Sequence, residues 1–305
     1  MNSFYENKKV LVTGGTGFCG QHVTQELLRH GARVSYAPHK LFDFTLEDHC
    51  MEAVADRDCV FHFAGAVGSA GASPVSMMSA IATNMALTSR VLHACWKQGV
   101  ERVLLCSSST VYPEGDHPMS EDEALDGPTH SAYFGYGEMY RYFEKLADFV
   151  AAESDMRIVR VRPTAVYGRH DKSQHVIPSL IRKALAEDDP FEVWGTGEET
   201  RDFLHVTDLA RGCVEMLASP FPVDVVNIGY GASYPVSDVA EMILRAAGHE
   251  AEIVYNAERP IAIPHREVDT TKAYALGWEP QVPLHEGLID TVNWFKEQQC
   301  VPMSG

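Results

Sequence analysis

Paired cysteines are missing from this chain of 305 residues. Its seven cysteines are scattered, and no two of them form a Cys-x-x-Cys pair. This pattern argues against zinc motifs and disulfide frameworks, so we expect no metal site. Free thiols suit the reducing cytoplasm, which is where we expect the protein.

Basic residues are also scarce. The chain has 25 Lys and Arg against 42 Asp and Glu, which gives a net charge of −17. Such a charge argues against a nucleic acid or an anionic membrane surface as a partner, although it allows a local basic pocket for phosphate groups. Residues 1–9 lack the apolar segment of a signal peptide.

Charged side chains are absent from residues 59–89. A stretch of this length could span a bilayer. However, His62, Pro74, Asn84 and many Gly and Ser residues interrupt it. We therefore expect a buried strand, a glycine-rich loop and a helix here rather than a membrane span.

Near its start the chain has a glycine-rich turn. The apolar residues 10–12 are followed by Gly14, Gly17 and Gly20, and then by an amphipathic segment. Gly14 permits a tight turn, Gly17 lets backbone amides approach phosphate, and Gly20 lets the helix pack closely on the sheet. Because the helix N-terminus favours an anion, the pattern predicts a dinucleotide-binding turn. The alternative is a glycine-rich turn without a ligand.

The end of the second predicted strand, residues 33–37, indicates the cofactor. NAD-preferring folds usually carry an acidic residue there. This chain has His39 and Lys40 instead, and no carboxylate before Asp43. Basic groups suit a 2′-phosphate, so NADP is favoured and NAD stays possible; Lys40 as a solvated loop charge is the alternative. Asp43 and Phe44 are expected beside the adenine.

Strands and helices alternate through the first half of the chain. We predict helices at 18–30, 77–98 and 136–152, strands at 59–63, 102–106 and 157–161, and a loop at 113–132. This order predicts an α/β fold with a doubly wound parallel (Rossmann) sheet and ligands at the carboxyl ends of its strands.

Beyond Pro163 the predicted elements are shorter and mixed. They are helices at 175–186, 206–218, 237–247 and 284–299, and strands at 191–194 and 225–228, the second of which returns to the main sheet. We expect residues 1–165 plus about 203–232 to form the dinucleotide-binding domain. Residues from about 166–202 and 233–305 then form a smaller C-terminal α/β substrate domain.

Five further segments carry a resemblance to a known family. They are residues 173–178 (SQHVIP), 193–197 (VWGTG), 201–205 (RDFLH), 226–229 (VNIG) and 269–287, which contains Leu-Gly-Trp. With the glycine turn, they make nearly the whole chain similar to the extended short-chain dehydrogenases, which modify nucleotide-diphosphate sugars. Within that family the chain most resembles the GDP-fucose synthases, which reduce and epimerise 4-keto-6-deoxy sugars.

The resemblance implies a cofactor site and a catalytic pair. The cofactor residues are Gly14, Thr16, Gly17, Phe18, Gly20, His39, Lys40, Asp43, Ala64, Ala66, Tyr136 and Pro163. Ser108 would hold the substrate carbonyl while Tyr136 delivers a proton and a nicotinamide delivers hydride. A capping serine and a packing tyrosine are the alternatives.

The family's lysine, four residues after the tyrosine, is missing. Tyr140 stands there, and neither Arg141 nor Lys145 lies at an equivalent place on a helix. The lost charge would have lowered the tyrosine pKa, which matters most for oxidation. The Tyr140 hydroxyl could partly take over the contact to the nicotinamide ribose. A non-catalytic sugar-nucleotide binder is therefore an alternative.

The sequence departs from the family it resembles at two further positions, both of which concern proton transfer. The resemblance pairs His175 with a cysteine for epimerisation, but Thr110 occupies the cysteine position. A threonine hydroxyl is too weak an acid to form a useful base, so His175 would only bind the sugar or begin a helix. The resemblance also implies an Asp-Glu pair in the dehydratases, directly after the catalytic position, where this chain has Ser109-Thr110-Val111, which disfavours dehydration.

Substrate binding is expected in the second domain. The resemblance implies Arg201 for the diphosphate, with Lys183, Trp194 and Arg266 as further contacts. Ile261-Ala262 replaces a polar Asp-Gly of the GDP-fucose synthases, so GDP is only a default. We expect an NADP-preferring reductase of a nucleotide-diphosphate 4-keto-6-deoxy sugar, with an epimerase of the same family as an alternative. The partner is expected to be a second copy, in a homodimer.

Overall fold

The computed structural model describes residues 3–66, 74–259, 261 and 263–300. Its first half alternates strands and helices as predicted. These are β1 (Lys9–Thr13), α1 (Phe18–Arg29), β2 (Arg33–Ala37), α2 (Glu47–Val54), β3 (Cys59–His62), α3 (Pro74–Gln98), β4 (Arg102–Cys106), α4 (Phe134–Ala152) and β5 (Arg157–Pro163). Three 3-10 helices lie between β4 and α4: Ser109–Val111, Glu121–Leu125 and Ser131–Tyr133.

The second half contains shorter elements. They are β6 (Ala165–Tyr167), α5 (Val176–Leu185), β7 (Phe191–Trp194), β8 (Thr200–His205), α6 (Val206–Ala218), β9 (Val225–Ile228), β10 (Ser233–Pro235), α7 (Val236–Ala247), β11 (Ile253–Asn256), β12 (His265–Arg266), α8 (Thr271–Ala275) and α9 (Leu284–Cys300). The helices predicted here all occur. The sequence did not predict α2, α8, β6, β8 or β10 to β12.

The main sheet has the order β2-β1-β3-β4-β5-β9, and all its strands are parallel. This confirms the doubly wound α/β fold. The chain reverses direction across the sheet between β1 and β3. In such sheets ligands bind outside the carboxyl ends of the strands at the reversal point. The expected cofactor crevice therefore lies where the glycine turn leaves β1.

Alternate residues of β1 point into different cores because a strand alternates its side chains between the two faces. Val10 and Val12 pack in a core with α1 and α6, and Leu11 packs in another with α3 and α4. Both faces of the sheet are therefore covered by helices. A third core is formed by α5, α7 and α9 with β7.

The smaller sheets belong to the second half. β8 pairs with β10, β12 and β6, and β7 pairs with β11. The chain thus leaves the main sheet after β5, returns with α6 and β9, and leaves again at β10. Residues 203–205 lie in β8, which belongs to a smaller sheet. The chain therefore returns to the main sheet from α6 onward, slightly later than the predicted boundary at about residue 203. We propose the two-domain division on this basis.

No helix in the described part of the chain is long and apolar enough to cross a membrane. Within the uncharged stretch, residues 59–62 form β3 and residues from 74 onward begin α3. The expected glycine-rich loop falls largely on residues 67–73, which lie outside the described residues.

Candidate active site

The glycine turn packs against the loop that follows β3. Gly14 has a φ of +68°, and a Cβ there would lie 2.8 Å from the backbone of Phe63 and Ala64. A Cβ on Gly20 would collide with the Gly14 carbonyl. The Thr13 hydroxyl accepts hydrogen bonds of 3.2 Å from the N–H groups of Phe63 and Ala64. Because the turn has no room for side chains, glycine is required at both positions.

Helix α1 begins directly behind this turn. Gly17 is its N-cap and supplies no side chain to cap the first amides, while Thr16 is exposed and Phe18 half-buried. Free amides and the helix dipole favour a negatively charged group. The turn therefore fits the diphosphate of a dinucleotide.

Two side chains of α3 fix the neighbouring loop. Asn84 is buried, accepts a 2.7 Å hydrogen bond from the Ala66 N–H and donates a 2.9 Å bond to the Ala66 carbonyl. His62 is hydrogen-bonded to Thr13 at 2.8 Å and to Thr88 at 3.1 Å. Burial lowers the pKa of His62 to about 4, so the imidazole stays neutral. The sequence did not predict these roles for Asn84 and His62.

The other end of the crevice follows β2. His39 and Lys40 are exposed in a turn, and no carboxylate in the described residues lies within ion-pair distance of Lys40. The Asp43 carboxylate accepts hydrogen bonds from Thr45, which lower the Asp43 pKa. Asp43 and Phe44 were both predicted to lie beside the adenine. Phe44 is buried in the core, so only Asp43 is at the surface.

Ser108 lies at the carboxyl end of β4. Its Oγ accepts hydrogen bonds from the Thr110 N–H, at 3.2 Å, and from the Thr110 hydroxyl, at 3.0 Å. The capping role that was the alternative for Ser108 is thus present. It does not exclude the catalytic role, because the Ser108 hydroxyl keeps its own hydrogen to donate.

Three contacts hold this turn against α4. A Cβ on Gly137 would lie 2.6 Å from the Thr110 carbonyl oxygen. Arg141 Nε donates a 2.8 Å bond to the main chain of the same turn. The Ser107 hydroxyl donates a 2.5 Å bond to Glu144. The turn with Ser108 and the helix with Tyr136 are therefore fixed side by side.

The Glu144 carboxylate is buried and is neutralised by Arg162. Two guanidinium nitrogens of Arg162 donate bonds of 2.9 and 2.7 Å to it. A third bond of 2.9 Å joins Arg162 to the Tyr112 hydroxyl, which donates a 2.5 Å bond to Asn227. Through Ser107, this network holds the residue next to Ser108 in place. The sequence did not predict the network.

Tyr136 and Tyr140 lie one turn apart on α4. Tyr136 is half-buried. The Tyr140 ring packs edge-on against Phe143, with centroids 5.8 Å apart. Burial, reinforced by Cys106 and Tyr136, raises the pKa of Tyr140, so its hydroxyl stays protonated. Tyr140 can donate a hydrogen bond but does not replace the charge of a lysine.

Neither nearby cation takes the lysine's place. Arg141 is engaged by Gly127, at 2.7 Å, and by Glu138, at 3.1 Å. The Lys145 side chain is 63% exposed and lies 3.7 Å from Asp148. Neither Arg141 nor Lys145 is therefore placed to supply the positive charge of the family's lysine.

His175 is the N-cap of α5 and is exposed. Its backbone N–H donates a 3.2 Å bond to the Ser173 hydroxyl. Its role in binding the sugar stays a prediction.

Arg201 and Arg266 are neighbours on β8 and β12. Arg201 donates bonds to the carbonyls of Thr200, at 2.7 Å, and Pro264, at 3.3 Å; Arg266 donates a 3.0 Å bond to the Pro113 carbonyl. No carboxylate of the described chain lies within ion-pair distance of either guanidinium. Burial chiefly lowers the pKa of Arg266 to about 10, and the charge of Arg201 adds to the effect. Such uncompensated cations favour a multiply charged anion.

Lys183 and Trp194, the other two predicted substrate contacts, both touch Glu192. Lys183 Nζ lies 3.2 Å, and Trp194 Nε1 also 3.2 Å, from the Glu192 carboxylate. The sequence did not single out Glu192. Ile261 is exposed, and Ala262 lies outside the described residues.

Comparison with known proteins agrees with this geometry. The sequence profile of the NAD dependent epimerase/dehydratase family matches residues 10–229. The GDP-L-fucose synthase of Escherichia coli (strain K12) is 29% identical, with 96% of this chain and 98% of that protein covered. The putative GDP-L-fucose synthase 2 of Arabidopsis thaliana is 27% identical, with 96% and 93% covered.

Solved structures agree as well. The UDP-glucose 4-epimerase of Thermotoga maritima, with UDP-glucose, superposes with a TM-score of 0.85 at 26% identity, covering 95% of this chain and 99% of that one. The glycine turn, the parallel sheet and the family profile lead to one conclusion. This chain belongs to the NAD-dependent epimerase/dehydratase family, whose members include nucleotide-sugar epimerases and reductases.

Proposed function

We propose that the protein is an NADP-preferring reductase of a nucleotide-diphosphate 4-keto-6-deoxy sugar that acts without 3,5-epimerisation. The observation that carries this proposal is the hydrogen bonding of Ser108. Thr110 donates twice to the Ser108 oxygen, at 3.2 and 3.0 Å. Both oxygen lone pairs are then used, which leaves the Ser108 hydrogen for a substrate carbonyl.

Proton delivery falls to Tyr136. A reduced nicotinamide, when bound, supplies the hydride. Ser108 donates a hydrogen bond to the carbonyl oxygen, and Tyr136 protonates that oxygen as negative charge develops on it. A neutral tyrosine, with an unperturbed pKa of about 10, suits a proton donor. Without a lysine, Tyr136 is a poor base, so we expect the enzyme to favour reduction over oxidation.

Epimerisation is disfavoured because its base is missing. Removing a ring proton next to the ketone needs a base, and the thiol of the GDP-fucose synthases is here the Thr110 hydroxyl. That hydroxyl donates to Ser108 at 3.0 Å, so its role is to orient the serine. His175 alone would bind the sugar rather than complete a proton-transfer pair.

Arg201 and Arg266 supply the charge for the diphosphate. They are adjacent, largely buried and without a carboxylate partner in the described chain. Two adjacent cations suit the two negative charges of the diphosphate in a nucleotide sugar. For the cofactor, the free Lys40 and exposed His39 support NADP. Equal or tighter binding of NADH than NADPH, measured by fluorescence, would overturn that preference.

The function is tested with a panel of 4-keto-6-deoxy sugar nucleotides in deuterated water. We expect consumption of NADPH and no deuterium at C3 or C5 of the product. Tyr136→Phe is expected to abolish NADPH consumption, because the proton donor is removed. Deuterium at either carbon would instead support an epimerase and refute the role given to Thr110.

A non-catalytic sugar-nucleotide binder is the second candidate. Tyr140 in place of the lysine is the specific observation in its favour. Sugar-nucleotide binding without NADPH consumption across the whole panel would support the binder and exclude the reductase.

A further inference from the structure

Three histidines from different elements surround one ion pair. His22 lies on α1, His170 follows β6, and His205 ends β8 as the N-cap of α6. The ion pair joins Arg169, which also follows β6, to Asp290 on α9. We call these five residues the histidine junction. It connects α1, which begins at the glycine turn, with α9.

Arg169 makes this connection through both its side chain and its main chain. Its Nε donates bonds of 2.9 and 3.0 Å to the two carboxylate oxygens of Asp290, and its Nη2 donates a 2.7 Å bond to one of them. Its carbonyl oxygen lies 3.1 Å from His22 Nε2, within hydrogen-bonding distance. Because the guanidinium already neutralises Asp290, this carboxylate has little charge left to stabilise a second cation.

The His205 side chain is buried, and only one of its two ring nitrogens is hydrogen-bonded. Nδ1 lies 2.8 Å from the Thr207 hydroxyl. Nε2 is enclosed and has no hydrogen-bond partner in the described chain. The Asp290 carboxylate is 3.8 Å from Nε2, which is too far for a hydrogen bond. A proton on Nε2 would therefore create a buried cation without an acceptor.

Helix α9 has no room to come closer and supply that acceptor. A Cβ on Gly287, one turn before Asp290, would collide with the Tyr167 hydroxyl and lie 3.1 Å from the His205 ring. The same hydroxyl donates a 3.3 Å bond to the Leu284 carbonyl of α9. The backbone of α9 is thus already in contact with both rings. A protonated His205 gains a partner when α9 moves away and water enters.

The charges around His205 do not offset its burial. Burial is the main reason that the pKa of His205 lies below its ordinary value. Two carboxylates raise this pKa and two cationic groups lower it; these four groups are Asp290 on α9, Asp208 on α6, His22 on α1 and Arg169 after β6. Asp208, like Asp290, is already paired with an arginine, since it lies 3.0 Å from Arg211. The closed junction therefore favours a neutral His205.

The other two histidines respond to protons in the same direction. The His170 ring lies 5.8 Å from the His22 ring and 5.0 Å from the ring of Trp294 on α9. Burial lowers the pKa of both histidines. Their charged neighbours are Asp290 and Arg29 for His22, and Lys172 and Arg169 for His170. All three rings favour the neutral form while the junction is closed.

We propose that the histidine junction is a pH-sensitive switch that holds α9 against α1 and β8 near neutral pH and releases α9 in mild acid. Once α9 has moved away, each histidine can take up a proton near its ordinary pKa of about 6.5. The stabilisation of the closed junction is therefore complete above that pH and is lost as the pH falls below it. Release opens the cleft between the two proposed domains. This last consequence rests on the proposed function, whereas the release itself does not.

The test is hydrogen exchange of the full chain without ligands, read by mass spectrometry at neutral pH and in mild acid and corrected for the intrinsic exchange rates. Helix α4, which packs on the opposite face of the main sheet from α1 and α6, is the internal reference. On acidification we expect exchange in α9 to rise by about threefold or more relative to α4. Equal changes in the two helices would mean a global loss of stability and would overturn the proposal.

A variant tests His205 itself. The side chain of His205→Gln is neutral at every pH, so we expect the rise in α9 exchange on acidification to be clearly smaller than in the wild type. His285→Gln is the matched control, because His285 is on the same helix and its side chain is 65% exposed. It should keep the wild-type response. The full response in His205→Gln, or its loss in His285→Gln, would refute the role given to His205.

A second variant guards against misfolding of the first. The amide of His22→Gln can still donate to the Arg169 carbonyl, so we expect this variant to fold and to show a weaker acid response in α9. The wild-type response in this variant would contradict the proposal. Exchange is measured without ligands, so a protein that consumes no NADPH but releases α9 in acid would refute the proposed reductase and leave the switch standing.

Discussion

At the scale of single residues, chemistry depends on which hydrogen bonds are already made. Ser108 and Thr110 differ from a serine–cysteine pair at one residue, where threonine has a hydroxyl oxygen instead of sulfur and an additional methyl group. That oxygen donates to Ser108 at 3.0 Å. The same substitution that removes a carbon base therefore orients the carbonyl donor. In the proposed function, the loss of epimerisation and the retention of reduction both depend on the Thr110 side chain.

In the proposed function, Arg201 and Arg266 bind the diphosphate at a cost in folding stability. Replacing Arg201 by Gln should weaken nucleoside diphosphate binding by about tenfold or more, because one of two charge-assisted contacts is lost. The free energy of unfolding should not fall, since two buried like charges repel each other. Calorimetry and urea denaturation measure the two effects.

Arg245→Gln is the matched control for that charge change. Arg245 is exposed and lies 2.8 Å from Glu241 on the same helix, α7. We expect it to leave diphosphate affinity unchanged. A loss of stability in Arg201→Gln without a loss of affinity would contradict the assignment of Arg201 to the ligand.

The sequence predicted the residues of the glycine turn because their role depends on neighbours within a few positions. Glu144 shows the opposite case. Its partners Ser107 and Arg162 lie 37 and 18 residues away, and only the packing of α4 on the sheet brings them together. Glu192 was missed for the same reason, since α5 and β11 supply its partners.

At the scale of elements, α4 sets the distance between Tyr136 and Ser108. It packs against the Ser108 turn at Gly137, where a Cβ would lie 2.6 Å from the Thr110 backbone oxygen. At Gly135, two residues earlier, a Cβ would also lie at 2.6 Å, but from the terminal methyl of Ile81. The two glycines thus differ in what surrounds them, not in the helix that contains them.

We therefore expect Gly137→Ala to reduce kcat by about tenfold or more, because it pushes α4 away from the Ser108 turn. It should also destabilise the fold, although Ala normally stabilises a helix by about 1 kcal/mol relative to Gly. Gly135→Ala is the control and should keep its activity, since a side chain can rotate. Equal kcat values in both variants would show that this contact does not position the site.

His62 on β3 is hydrogen-bonded to β1 and to α3, and it makes the stability of the fold sensitive to acid. Burial lowers the folded-state pKa of His62 to about 4. The unfolded chain takes up the proton near pH 6.5. The contribution of neutral His62 to the free energy of unfolding is therefore complete above pH 6.5 and is lost as the pH falls towards 4. Between pH 7 and pH 5 we expect a loss on the order of 2 kcal/mol from this group.

Urea denaturation of the wild type and His62→Gln at both pH values checks this. Gln is always neutral and can still reach Thr88, so the variant should lose less stability on acidification. The same loss in both proteins would mean that His62 titrates normally in the folded state.

Element length explains which parts of the architecture the sequence revealed. The long helices α3, α4 and α9 show apolar periodicity over several turns and were predicted. β6 and β10 have three residues each and β12 has two, which is too few to show alternation. The N-cap of α2 is Leu46, which provides no side-chain cap, so the start of this helix lacks the usual N-cap residue.

At the scale of the whole molecule, apolar side chains remain exposed on α3 and α4. Val75 and Met78 on α3 are 77% and 64% exposed, and Tyr142 and Phe149 on α4 are 48% and 59% exposed. We propose that two copies pair through these helices, since a symmetric four-helix contact would bury this surface.

Light scattering at micromolar concentration should give the mass of a dimer, and Phe149→Glu should give a monomer. Phe221→Glu is the control, because Phe221 is 60% exposed but lies outside these helices, and it should leave the dimer intact. A monomeric wild type would refute the proposed pairing.

The path of the chain between its sheets limits how such proteins can be recombined. The chain passes from the main sheet to the smaller ones after β5, back at α6, and out again at β10. A hybrid made by a single crossover between two relatives would take β7 and β11, which pair with each other, from different parents whenever the junction falls between them. Under the proposed two-domain division, transplanting a substrate specificity requires two inserts exchanged together, while the residues of the glycine turn can be exchanged as one segment.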